Sequence, residues 1–141
     1  MRHFALLLLA IILSGCTSGL TTVEPIDLVK NGDFWNEKLV RTCGYVTTDA
    51  KTCSLRVCPP GTELKDVPSC KPISEIHLSS RAAACQYNSA SPHSDGFWAD
   101  ADGHFLALRP NDTLTDANRF ALTRSLVQRL PDGCRISANG T

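Results

Sequence analysis

The sequence predicts a small α+β domain, a twisted antiparallel sheet or partial barrel with one amphipathic C-terminal helix, stabilised by disulfides. Three observations carry that class. Cys43, Cys53, Cys58, Cys70, Cys85 and Cys134 form an even set, the arrangement that staples exported domains too small to build a large core. Residues 37–49 alternate in polarity with the two-residue period of a half-buried strand. Residues 115–130 place apolar side chains at helical intervals.

The chain opens with material that does not belong to that domain. Arg2 and His3 precede FALLLLAIIL, residues 4–13. At about 1.5 Å per residue this run covers roughly 15 Å, half of what a bilayer's hydrocarbon layer requires. A basic start, a short apolar core and small residues after it make a secretory signal. Leu13-Ser14-Gly15-Cys16 then resembles the lipobox of bacterial lipoprotein precursors. The resemblance implies that residues 1–15 are removed as a signal peptide and that the Cys16 thiol carries a diacylglycerol thioether. Its freed amino group then takes a further acyl chain of the palmitate kind. Two or more chains hold a protein on a bilayer durably. Thr17 stands where Asp retains Gram-negative relatives at the inner membrane, which implies the outer membrane, facing the periplasm or the cell surface. Residues 16–24 become a lipidated cysteine and tether, at most about 26 Å long from Thr17 onward. Residues 25–141 form a single globular domain.

Within that domain, Glu24-Pro25-Ile26-Asp27-Leu28-Val29 followed by Asn31-Gly32 suits a short helix, with Pro in its first turn and Gly past its end. In the strand that follows, Leu39, Arg41, Cys43 and Tyr45 alternate with Val40, Thr42, Gly44 and Val46. Gly44 marks a bulge or a close backbone approach. Residues 53–72 hold four prolines and three cysteines and read as a stapled loop. Residues 73–79 make a short strand and residues 86–94 a polar loop. Residues 96–99 and 104–109 are apolar runs on either side of Asp102-Gly103, the dipeptide a tight hairpin turn demands because both central residues need positive φ. Thr115 or Asp116 can cap the helix after it. Phe120, Leu122, Leu126, Val127 and Leu130 share one side of that helix; Asn118, Arg124, Ser125, Gln128 and Arg129 fill the other. Pro131-Asp132-Gly133 ends it, and residues 134–137 return as a strand.

Six cysteines allow fifteen pairings. Spacing suits a local closure of Cys53 with Cys58 or of Cys58 with Cys70, and Cys134 has to join a distant partner. Structural zinc needs two close pairs of ligands, and only Cys53 with Cys58 has the spacing.

The stretch DLVKNGDFWNEKLVRTCGYVT resembles the opening of small exported or nucleic-acid-binding OB-fold-like domains, in which a short helix precedes a strand of pattern G-K-x-V-x-V-x-G-Y-V. Lys38, Val40, Gly44, Tyr45 and Val46 supply that pattern, and Glu37 replaces its first glycine. The resemblance implies a partial OB-like barrel, a scaffold that binds nucleic acids, sugars or proteins. The charge speaks against the first of these. Fourteen basic and fourteen acidic residues cancel, so neither nucleic acid nor an anionic bilayer has an electrostatic claim on the chain.

The richest polar cluster is His93, Asp95, Asp100, Asp102 and His104, with Phe97 and Trp98 among them. Carboxylates and imidazoles together can hold a divalent cation or a small ligand. A calcium-loop register anchored on Gly103 fails, because Trp98 and Arg109 stand where acidic ligands are required. No G-x-S-x-G turn surrounds Ser79, Ser80, Ser89 or Ser91, and no glycine-rich phosphate loop is present. The expectation is therefore a non-catalytic envelope binding or assembly module with an envelope protein as partner and no cofactor. Phe34, Trp35, Tyr45, Phe97 and Trp98 are candidate contact aromatics. The competing expectation is a periplasmic small-ligand or metal-binding protein using His93, Asp95, Asp100, Asp102 and His104.

Overall fold

The structure is a computed structural model that describes residues 19–48, 52–79, 85, 96–108 and 119–135. Its elements are β1 (Thr21–Thr22), α1 (Pro25–Lys30), α2 (Gly32–Trp35), β2 (Leu39–Thr48), β3 (Cys53–Val57), β4 (Ser74–His77), β5 (Phe97–Ala107) and β6 (Phe120–Arg129). The signal segment, Cys16 and residues 86–94 lie outside the described residues.

Pairing runs β2-β3-β4-β6-β5 and returns from β5 to β2, which closes a five-stranded mixed barrel. Every barrel pair is antiparallel except β4 with β6. This closed barrel with short helices is consistent with the small disulfide-stabilised α+β, OB-like domain that the Gly-Tyr-Val strand implies. Two-residue β1 lies parallel to the start of β2, Thr21 opposite Val40. Thr21 and Thr22, placed in the tether by the sequence reading, thus join the sheet, and Val23 after them is buried.

Alternation explains β2 directly. Val40, Thr42, Gly44 and Val46 face the interior, while Leu39, Arg41, Cys43 and Tyr45 face out. Gly44 is the close approach expected of it: a Cβ there would sit 2.9 Å from the Leu55 side chain of β3. Leu28 of α1 enters the same core, which also holds Leu55, Ile76, Phe105 and Leu122. Full burial of each such side chain contributes about 1.5–3 kcal/mol. Phe105 and Phe120 stack with centroids 5.9 Å apart.

Four expectations are corrected. The amphipathic helix over residues 115–130 is the strand β6 where the structure describes it, from Phe120 onward. Phe120 and Leu122 point inward with strand periodicity. Arg124 then adopts φ 51°, so that Arg124 and Ser125 together oppose Gly103, and the inward phase resumes at Ser125. That one-residue bulge shifts the apolar pattern by an odd step and imitates a helical period. Asp102-Gly103 is no hairpin turn either. β5 runs straight through it, and the glycine is required because a Cβ would meet the Thr123 carbonyl oxygen at 2.8 Å. The stapled loop begins later than expected, since Cys53–Val57 is a buried strand. Finally, Cys134 and Arg135 follow β6 without strand structure.

Three disulfides join Cys43 to Cys134, Cys53 to Cys85 and Cys58 to Cys70. They are nested, each later-opening pair closing inside the earlier one. Cys134 does join a distant partner, 91 residues away. Cys58–Cys70 closes a loop carrying a 3-10 turn, Leu64–Ser69. Arg56 on β3 holds its end by donating from Nη1 to the Cys70 carbonyl at 2.7 Å.

Glu37, which replaces the glycine of the OB-like pattern, has φ 65°. Its N–H donates to the Phe105 carbonyl at 2.7 Å, pinning it where α2 hands over to β2. A left-handed conformation costs a side-chain-bearing residue about 1 kcal/mol relative to glycine. Glu37→Gly is therefore expected to raise the unfolding free energy by about 1 kcal/mol in urea titrations. Opening Cys43–Cys134 by double serine replacement is expected to cost more than opening Cys58–Cys70, about 4–5 against about 3 kcal/mol in loop-closure terms, read from the same titrations.

Candidate binding face

The outer face of β2, β5 and β6 is the part of the barrel wall on which candidate residues gather. Register lines them up in rows: Leu39, His104 and Thr123; Arg41, Asp102 and Leu126; Cys43, Asp100 and Gln128; then Tyr45 and Trp98. Strand geometry sets successive rows about 7 Å apart. Arg41, Asp100, Asp102, Leu126 and Gln128 border a shallow cavity of about 170 Å³.

Arg41 donates from Nε and from an Nη to the two oxygens of Asp102, both at 2.7 Å. This two-pronged geometry is the strong form of the contact. The hydrogen bonds that Arg41 donates to Asp102, and after them the charge of that carboxylate, raise the Arg41 pKa above its ordinary value, against a smaller lowering by desolvation and with a last contribution from Asp100. The guanidinium stays charged throughout the range in which proteins are folded. The pair fixes two long side chains across adjacent strands and leaves Asp100 and the 75 % exposed Leu126 beside it. A fixed cation–anion pair next to an unpartnered leucine is a surface suited to a protein contact, with an apolar centre and a polar margin.

Toward one end of this face, Tyr45 and Trp98 meet edge-on with centroids 5.6 Å apart. The Cys43–Cys134 bridge crosses the neighbouring row; on the inward side of β5 at that end, Phe97 packs partly on the core with Arg129 4.0 Å over its ring. Toward the other end stand Phe34, 62 % exposed, and Trp35, which packs partly on the core.

The structure thus brings Asp100, Asp102 and His104 to one face of one strand, as alternation along β5 requires. It does not gather them into a cage: both Asp102 oxygens are engaged by Arg41, and among the described residues no three His, Cys, Asp or Glu side chains converge on a cation position. His93 and Asp95 lie outside the described residues. Tyr45, Phe97 and Trp98 are half-buried, so of the five aromatics Phe34 is the one fully displayed. Sequence reasoning missed Arg41, Leu126 and Gln128. Arg41 carried a usable signal, since alternation already put it on the outward side with Tyr45. Leu126 carried none, because assignment to a helix buried it.

Comparison with protein-family models, with curated proteins and with solved structures finds no match to this chain.

The aromatic pair and the leucine separate fold from face. A double-mutant cycle on Tyr45 and Trp98 is expected to give a coupling of about 0.5–1.5 kcal/mol in urea unfolding. Leu126→Asp, on an exposed position away from the core, is expected to leave stability within about 0.5 kcal/mol of the parent.

Proposed function

We propose that this chain is a bacterial envelope lipoprotein, held through an acylated Cys16 on the outer membrane and acting there as a non-catalytic binding or assembly module. The observation that carries the reading is Leu13-Ser14-Gly15-Cys16, whose leucine ends the ten-residue apolar core of residues 4–13. The three disulfides support it, because thiols paired in this way belong to an oxidising compartment outside the cytosol. The outer face of β2, β5 and β6 supplies the binding surface. Arg41, Asp102 and Leu126 meet an envelope protein there, the leucine as the apolar centre and the ion pair as the element that sets orientation.

Two measurements test the reading in the producing cell. Cys16→Ser is expected to move the protein from the membrane pellet to the soluble fraction, and unchanged sedimentation would overturn the anchor. A photo-crosslinking side chain in place of Leu126 is expected to trap one discrete envelope protein, with the yield falling about ten-fold when Arg41→Glu reverses the charge beside it. Crosslinks spread over many abundant proteins, or insensitive to Arg41→Glu, would reject the face.

A further inference from the structure

We infer that the α2 end of the barrel rests on the lipid surface, with Phe34 inserted at headgroup depth and Lys38 beside it. The inference rests on the acylated Cys16 of the proposed function and goes beyond it by fixing which side of the domain meets the bilayer.

Chain direction supplies the first argument. β1 runs parallel to β2, with Thr21 opposite Val40 and Thr22 opposite Arg41. The chain upstream of Thr21 therefore arrives from the side on which Lys38 lies. Three Cα-to-Cα steps lead from Cys16 to Gly19, the first described residue, and at full extension they reach only about 11 Å. A cysteine whose acyl chains are in the hydrocarbon holds its backbone at the headgroups, so the end of the barrel from which β2 starts is kept within that distance of the membrane. Trp98, opposite Tyr45, lies seven residues further along β2 and so about 23 Å away.

What that end displays supplies the second argument. The Phe34 ring is 62 % exposed, meets Trp35 edge-on at 4.8 Å and carries the Lys38 ammonium 3.3 Å from its centroid. Leu39, next along β2, is 42 % exposed. Aromatic rings with a lysine that can reach a phosphate are the composition of a membrane interface. Lys30 and Lys38 are offset by Asp33 and Glu37, so the contact draws on apolar insertion and not on anionic lipid.

Tryptophan quenching in vesicles of phosphatidylethanolamine and phosphatidylglycerol with brominated acyl chains tests the orientation on the mature acylated protein. The chain has two tryptophans, so Trp98→Phe reports from Trp35 alone and Trp35→Phe from Trp98 alone. Trp35 emission is expected to fall by about half while Trp98 emission holds, and Phe34→Asp to relieve most of the loss. Hydrogen exchange on the unaltered protein gives the same comparison without substitution: amides of residues 32–39 slow on bilayers relative to detergent, and those of residues 96–100 do not. Acylated, vesicle-bound protein with both tryptophans equally bright, or equally quenched, would overturn the orientation while leaving the anchor intact. Protein without acyl mass on Cys16 would remove both.

Discussion

The fold depends on β2 being shared. Leu39 to Val46 pair with β5 along one edge, and the other edge takes β1 at the start and β3 at the end. Without that double engagement the remaining strands are an open sheet with exposed edges; with it they are a barrel, whose inward side chains form one core. The curvature that closure demands brings β2 and β3 close together at Gly44. Leu55 fills the volume that any larger residue at position 44 would occupy. The disulfides then attach what the barrel does not hold by itself: the turn after β6 to β2, Cys85 to β3, and the loop of residues 58–70 to its own base.

Much of this is legible in the amino-acid sequence. The alternation of β2, the proline-led helix α1, the short strand β4 and the distant partner of Cys134 all follow from spacing, because each is set locally or by exclusion. β5 and β6 were not legible, and for one shared reason. Gly103 and Arg124 face each other across a bulge, and a bulge is a property of two strands together. Read singly, Asp102-Gly103 looks like a turn and the shifted phase of β6 looks like a helix. Only the pairing shows that the glycine accommodates the extra residue opposite it. Glu37 shows the converse. The glycine missing from the OB-like pattern points to a backbone constraint, and the constraint persists with glutamate in place.

The same dependence on pairing governs the candidate face. Asp100, Asp102 and His104 drew notice as a cluster because they are close in sequence, yet the strand spaces them in a row and Arg41, sixty-one residues away, takes the central one. A carboxylate already bound on both oxygens is a poor cation ligand and a good anchor for an arginine. Chemistry that resembled a metal loop in one dimension is a surface ion pair in three. Beside it Leu126 is displayed by the β6 register, and the short helices at one end of the barrel display Phe34. The wall and the end are separate surfaces, so the two contacts proposed above do not compete.

The nested order of the disulfides bears on how such a chain is made. A polypeptide exported N-terminus first, as proposed above, presents Cys43 and then Cys53, and joining those two as they emerge gives a pair the barrel does not contain. Cys43 in particular has to stay available until 91 further residues have been delivered. For a chain exported as proposed above, oxidation therefore cannot simply follow the order of emergence. Thiol–disulfide exchange has to remain possible until the whole barrel has assembled around its first long strand, through an isomerase or through the fold itself selecting the pairs. An oxidant acting without reshuffling would trap this domain in a cross-linked but unfinished form.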